Sequence, residues 1–91
     1  DILGCLGYNF HIDTGKLNEV YSLNQYETHN DISNIIFREN CIINGSVMLK
    51  TKVLHDLNGY NINYKYCEDW DFWKRGIIFG HKFHILQERL Y

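Results

Sequence analysis

Glu68, Asp69 and Asp71 share six consecutive positions with Trp70, Phe72 and Trp73. Carboxylates this close repel one another, and large rings seek burial, so a plain surface loop suits neither group. A carboxylate held at the edge of a core can take a proton from a hydroxyl group, which is general-base chemistry. The same acids can instead cap a helix and complement its dipole, a role that suits Asp71 and Glu68 in particular. The local sequence leaves both roles open for the group.

A helix start reconciles acids with aromatics. Acids in a first turn face free N–H groups and the positive end of the dipole. Trp70, Trp73 and Ile77 fall on one face by the i, i+3, i+7 rule. Asp71 precedes Arg75 by four positions, the favourable order for an ion pair. Gly80 suits the position just past a helix end. The pattern predicts a helix from about Asp69 to Phe79.

The chain around it has 91 residues, 45% hydrophobic and 22% charged, which describes a single folded unit rather than a disordered segment. Net charge is −2, and seven of the nine Lys and Arg lie at or beyond Lys50 without forming a run. That excludes the electrostatic footprint of a nucleic-acid binder. No apolar stretch approaches the roughly 18 residues of a membrane span. The chain opens on Asp1, without a signal-peptide pattern, and is expected to be part of a longer protein. Its three cysteines, at positions 5, 41 and 67, are far apart and show no zinc spacing. They are expected to be free thiols in a reducing compartment, which places the chain in the cytoplasm or at the cytoplasmic face of a membrane. His81 and His84 are expected to decorate a solvated strand.

Along the chain, apolar residues at even positions from Ile2 to Ile12 predict one strand, with Leu3 and Cys5 making its first half apolar on both faces. Asp13 to Lys16 is a turn using Gly15. Leu17 to Glu27 is ambiguous. Val20, Tyr21 and Leu23 favour a returning strand, and Asn18, Asn24 and Gln25 oppose it. Thr28 or Asn30 caps a helix carrying Ile32, Ile35 and Ile36, which Asn40 ends in a left-handed conformation. Ser46 to Lys50 reads as a buried strand. Thr51 caps a short helix with Val53, Leu54 and Leu57, closed by Asn58 and Gly59. A polar and aromatic loop runs from Asn61 to Tyr66, and Lys82 to Leu86 alternates as a last strand. The order is that of an α/β domain. An edge and a face of its sheet are expected to lack partners, which favours homo-oligomers through the open edge.

Four stretches, in this order, resemble the C-terminal half of family 2 glycosyltransferases. Asn40 to Lys50 is similar to the family strand N-x-I-x-x-S-S-V-M-x-R/K. Lys52 to Tyr60 is similar to its x-V-L-x-x-L-G-G-Y helix and turn, with Asn58 in place of the first glycine. Glu68 to Arg75 is close to E-D-Y-D-L-W-L-R, and Gly80 to Tyr91 is similar to G-Y-K-F followed by E-P-L-Y. Thr28 to Tyr91 matches well and Asp1 to Lys16 loosely. Cys41 and Arg89 stand where the family often has Pro.

The resemblance implies an α/β fold: a partial GT-A (nucleotide-diphospho-sugar transferase) domain, a mixed sheet with flanking helices, lacking its N-terminal nucleotide-binding half. Residues 1–91 would form the acceptor-side portion. It implies inverting transfer of a sugar from a nucleotide-sugar donor to a hydroxyl of a glycan or lipid-linked acceptor, as in polysaccharide or glycoconjugate synthesis. Asp69 takes the role of base. Glu68 either acts on Asp69 through its charge or contacts the acceptor. Trp70 offers a flat face to a sugar, or else packs in the core. Ser46 lines the cleft, or else satisfies backbone at a strand start. A divalent cation, Mn²⁺ or Mg²⁺, is implied on the leaving diphosphate, held by a motif outside this chain. Two other classes remain: a non-catalytic sugar-binding or interaction domain of the same fold, and an unrelated α/β domain whose acids only cap a helix.

Overall fold

The computed structural model describes residues 1–19 and 26–91. Three strands form a mixed sheet in the order β4-β1-β5. Strand β1 (Ile2–Leu6) runs antiparallel to β4 (Met48–Leu49) and parallel to β5 (Phe83–Arg89). Ile2 pairs with Phe83 and Cys5 with Leu86, and a register shift follows at Leu6. A separate ribbon pairs β2 (Tyr8–Phe10) with β3 (Leu17–Glu19). The helices are α1 (His29–Ile35), α2 (Thr51–Asp56) and α3 (Glu68–Phe79). Among the described residues, no helix is long and apolar enough to cross a membrane.

One face of the sheet carries the core. Ile2 and Leu6 of β1 join Phe83 and Ile85 of β5, and the helices bring Ile32, Val53, Phe72 and Trp73 onto them. Trp73 and Phe72 are fully buried and meet edge to face at 5.3 Å. Gly76 lets α3 approach closely: a Cβ there would lie 3.0 Å from Phe83 Cζ. The α3 stripe is therefore Phe72, Trp73 and Gly76, while Trp70 and Ile77 of the predicted stripe pack along its border. The Tyr60 ring packs on Phe72 with its centroid 4.9 Å away.

Several elements follow local chemistry. Gly15 closes the β2–β3 turn at φ 68°, with its N–H donating to His11 O. Thr28 is the cap of α1: its hydroxyl accepts from Asp31 N, and Asp31 Oδ2 accepts from Thr28 N. Those backbone donors hold the Asp31 carboxyl below its ordinary range. Asn58 and Gly59 close α2 at φ 57° and 69°, and Gly80 closes α3 at φ 103°.

Other elements depart from the sequence reading. The strand expected from Ile2 to Ile12 breaks at Gly7, where a Cβ would sit 3.2 Å from Tyr91 O. Past that crossing Phe10 and Ile12 are exposed. The returning strand is β3; Val20, Tyr21, Leu23, Asn24 and Gln25 lie outside the described residues. Asn40 does not adopt the left-handed conformation; α1 ends earlier and Asn40 Oδ1 accepts from Ile42 N instead. Ser46 falls in a 3-10 turn, Asn44–Ser46, which shortens the buried strand to Met48–Leu49 and leaves Met48 75% exposed. Lys50, not Thr51, precedes α2 as its cap, without a side-chain bond.

The sheet edges differ from each other. The outer edge of β5 is partly covered, since Ile85 N donates to Glu27 O and Phe83 N to His29 Nδ1. The short β4 has no further neighbour among the described residues. The second face of the sheet carries a groove of about 280 Å³ lined by Leu3, Met48, Leu86 and Leu90. His81, expected in solvent, is buried. Its Nε2 lies 3.2 Å from Asp56 Oδ2 and its Nδ1 3.7 Å from Asp1 Oδ2. The nearer pair is close enough for a charge contact, but its angles do not make a hydrogen bond.

Candidate functional site

Helix α3 begins one residue earlier than its pattern predicts, at Glu68. Cys67 before it takes φ 60° and ψ 24°, a left-handed corner that turns the Asn61–Tyr66 loop sharply into the helix. Cys67 contributes no side-chain cap, so Glu68, Asp69 and Asp71 are the polar groups of the first turn. Their charges complement the helix dipole there.

The three acids have different partners. Asp71 Oδ2 accepts from Arg75 Nε at 2.9 Å, the predicted i, i+4 pair. Arg75 goes further: Nη1 donates to Leu57 O at 2.6 Å and Nη2 to Gly59 O at 2.9 Å. Asp71 thus belongs to a clamp between α3 and the end of α2. Asp69 looks elsewhere. Its Oδ2 accepts from Asn40 Nδ2 at 3.0 Å, across 29 positions of sequence. Glu68 is half-buried beside it.

Tyr60 completes the group. Its ring rests on Phe72, and its hydroxyl lies 3.5 Å from Asn44 Oδ1. Burial, and then the carboxylates of Asp69 and Glu68, push the Tyr60 phenol above its ordinary range. Asn40 and Tyr60 were read in the sequence as a helix end and as the residue after a turn, each within a family-like stretch, and neither as a site residue. The available signals were a side-chain amide heading one motif and a tyrosine directly after the left-handed Asn58–Gly59 pair. Tyr60 also lines a hollow of about 370 Å³ with Asn61, Ile62 and Arg75; neither Glu68 nor Asp69 lines it.

Trp70 and Ser46 sit in settled contacts. Trp70 Nε1 donates to Ile36 O, and Lys74 Nζ lies 4.4 Å from the ring centroid. A sugar stacking on that face would displace Lys74. Ser46 Oγ donates to Ile43 O at 2.7 Å and accepts from Cys5 N at 3.2 Å. These bonds tie the 3-10 turn to β1, and Ser46 also lines the groove on the second sheet face. Its hydrogen bonds do not join it to Asp69.

Among the described residues, no group of three or more His, Cys, Asp or Glu could hold a metal ion. Asp69 and Asp71 turn to an amide and a guanidinium rather than to a common point. The residues present do not fit the implied cation. What the arrangement can do is present one carboxylate, hydrogen-bonded to an amide, at the start of a helix packed on the core through Phe72 and Trp73. No protein-family model matches the chain, and no curated protein or solved structure matches it.

Proposed function

We propose that this chain is the acceptor-side portion of an inverting, family 2-like glycosyltransferase of GT-A fold, with Asp69 as its base. The observation that carries the reading is the Asn40–Asp69 hydrogen bond. It joins the heads of two stretches that the resemblance names independently. The mixed sheet with flanking helices is compatible with that fold.

In the proposed reaction, the acceptor hydroxyl oxygen attacks the anomeric carbon opposite the leaving group. The new C–O bond forms as the bond to the diphosphate oxygen breaks, and the diphosphate keeps that electron pair. The hydroxyl proton passes to the Asp69 carboxylate. Glu68, in the same helical turn, acts on Asp69 through its charge or contacts the acceptor. The cation that the resemblance implies is assigned to a motif outside this chain and enters no step here. Donor and acceptor are a nucleotide sugar and a glycan or lipid-linked hydroxyl.

The test uses the full-length protein. Asp69→Asn keeps the shape and removes proton acceptance, so turnover should fall by roughly 10²–10⁴-fold with donor affinity unchanged. Asp71→Asn should keep most turnover. The opposite pattern would overturn the assignment of roles, and two fully active variants would mean that the acids only cap the helix and that neither is the base. The 91-residue chain alone should bind a nucleoside diphosphate with Mn²⁺ at most weakly in calorimetry; tight, metal-dependent binding would contradict a donor site outside it.

A non-catalytic sugar-binding reading is favoured by exposed Tyr64 and Tyr66 in the loop leading to Glu68, since aromatic faces suit sugar rings. Sugar binding without turnover in the full-length protein would select it.

A further inference from the structure

We infer that Asn40 is a positioning residue for Asp69, fixing which carboxylate oxygen receives the proton. The inference rests on the transferase reading above and deepens it.

The amide of Asn40 has only one orientation that satisfies both neighbours. Ile42 N is a donor, and it lies 3.2 Å from Asn40 Oδ1. The other end of the side chain must then be the NH₂ group, which can only donate. It lies 3.0 Å from Asp69 Oδ2. The backbone thus sets the amide, and the amide sets the carboxylate. With Oδ2 already accepting from Asn40, Oδ1 is the more basic oxygen and takes the proton from the acceptor. The link also bridges two segments that do not otherwise share an element: Asn40 lies beyond the end of α1, and Asp69 is in the first turn of α3. Both residues are at the surface margin, so the bond is not needed to satisfy a buried group. A purely structural reason for it is correspondingly small.

Two variants of the full-length protein test the role, with Asp69→Asn as reference. The assay is nucleoside diphosphate release from a panel of UDP- and GDP-sugars with water as acceptor. Asn40→Ala should lower kcat by roughly ten- to hundredfold through misplacement of the base, with KM for the donor unchanged. Added to Asp69→Asn, it should cost nothing further, because the positioned group has already lost its chemistry. Asn40→Asp places a second carboxylate where the amide stood, and its charge disfavours ionisation of Asp69. The acidic limb of its pH–rate profile should move to higher pH. A structural role would instead change the melting temperature equally in both backgrounds and leave the profile in place.

If Asp69→Asn abolishes turnover while Asn40→Ala is fully active and Asn40→Asp keeps the parent's profile, the Asn40 inference is overturned and the transferase reading stands. If Asp69→Asn is fully active, Asp69 is not the base and the role of Asn40 falls with it; if the parent releases no diphosphate from any donor, the transferase reading falls as well.

Discussion

Tyr60 is the residue through which the site can be examined without any substrate. Burial and the carboxylates of Asp69 and Glu68 raise its folded pKa above the unfolded value. The neutral phenol is therefore favoured in the folded state. Its contribution to stability is full below the unfolded pKa and disappears as pH rises through the folded one. Ultraviolet titration of the chain should show a late phenolate component that Tyr60→Phe removes. Asp69→Asn deletes one nearby negative charge, so Tyr60 should ionise at lower pH in that variant. An unchanged Tyr60 titration in Asp69→Asn would separate the two side chains and dismantle the group. The cysteines give a second check at this scale. All three are free, with Cys5 and Cys41 buried and Cys67 exposed. Burial pushes the Cys41 thiol up to about 11. Because the thiolate is the reacting form, a thiol reagent at neutral pH should titrate Cys67 quickly in the folded chain and the other two on unfolding. Two fast thiols would contradict the packing of β1 or of the segment after α1.

Helix α3 is held at two places, and they should respond differently to mutation. Arg75 bonds to Asp71 and also reaches the Leu57 and Gly59 carbonyls, so it ties α3 to the left-handed turn that ends α2. Arg75→Ala should cost about 1–3 kcal/mol, the range for lost hydrogen bonds from a charged donor. Asp71→Asn loses a partly buried ion pair but leaves both carbonyl bonds of Arg75, and should cost less than about 1 kcal/mol. Urea denaturation of both variants decides it, and a larger loss from Asp71→Asn would show that the carbonyl bonds contribute little. At the other anchor, α3 meets β5 through Gly76. Gly76→Val forces atoms into the Phe83 ring and should cost about 1–3 kcal/mol. A neutral result would mean that the helix can move away from the sheet.

Across the whole molecule the apolar surface is unevenly finished. Met48, Leu90, Tyr91, Phe10 and Ile12 are all exposed, and β4 ends the sheet with no neighbour among the described residues. Unpaired strand edges beside apolar side chains are templates for association. The isolated chain should self-associate in sedimentation velocity as concentration rises. Met48→Lys puts a charge on the open edge and should weaken that association. A parent chain that stays monomeric at high concentration would rule the edge out as an interface.

The sequence by itself determined the features that depend on a few neighbouring residues. Gly15, Asn58–Gly59 and Gly80 stand at left-handed turns because a side-chain-free or short polar residue tolerates positive φ. Thr28 with Asp31 starts α1, Asp71 meets Arg75 one turn on, and Phe83 to Leu86 alternates between buried and half-buried. Each is settled within one turn or one pleat, so spacing is enough. Tertiary structure decided everything that needed a second segment. The even-numbered face of the first twelve residues is apolar throughout, yet among the described residues its β1 part is buried and its β2 part exposed. His81 became buried because Asp56 and Asp1 arrive from α2 and the chain start. Asn40 met Asp69, and Tyr60 met Phe72, because α3 packs where the chain after α1 and the turn after α2 also end. Local patterns give an acid its helix position; only the packing of distant segments gives it neighbours, and neighbours are what make a carboxylate a candidate base.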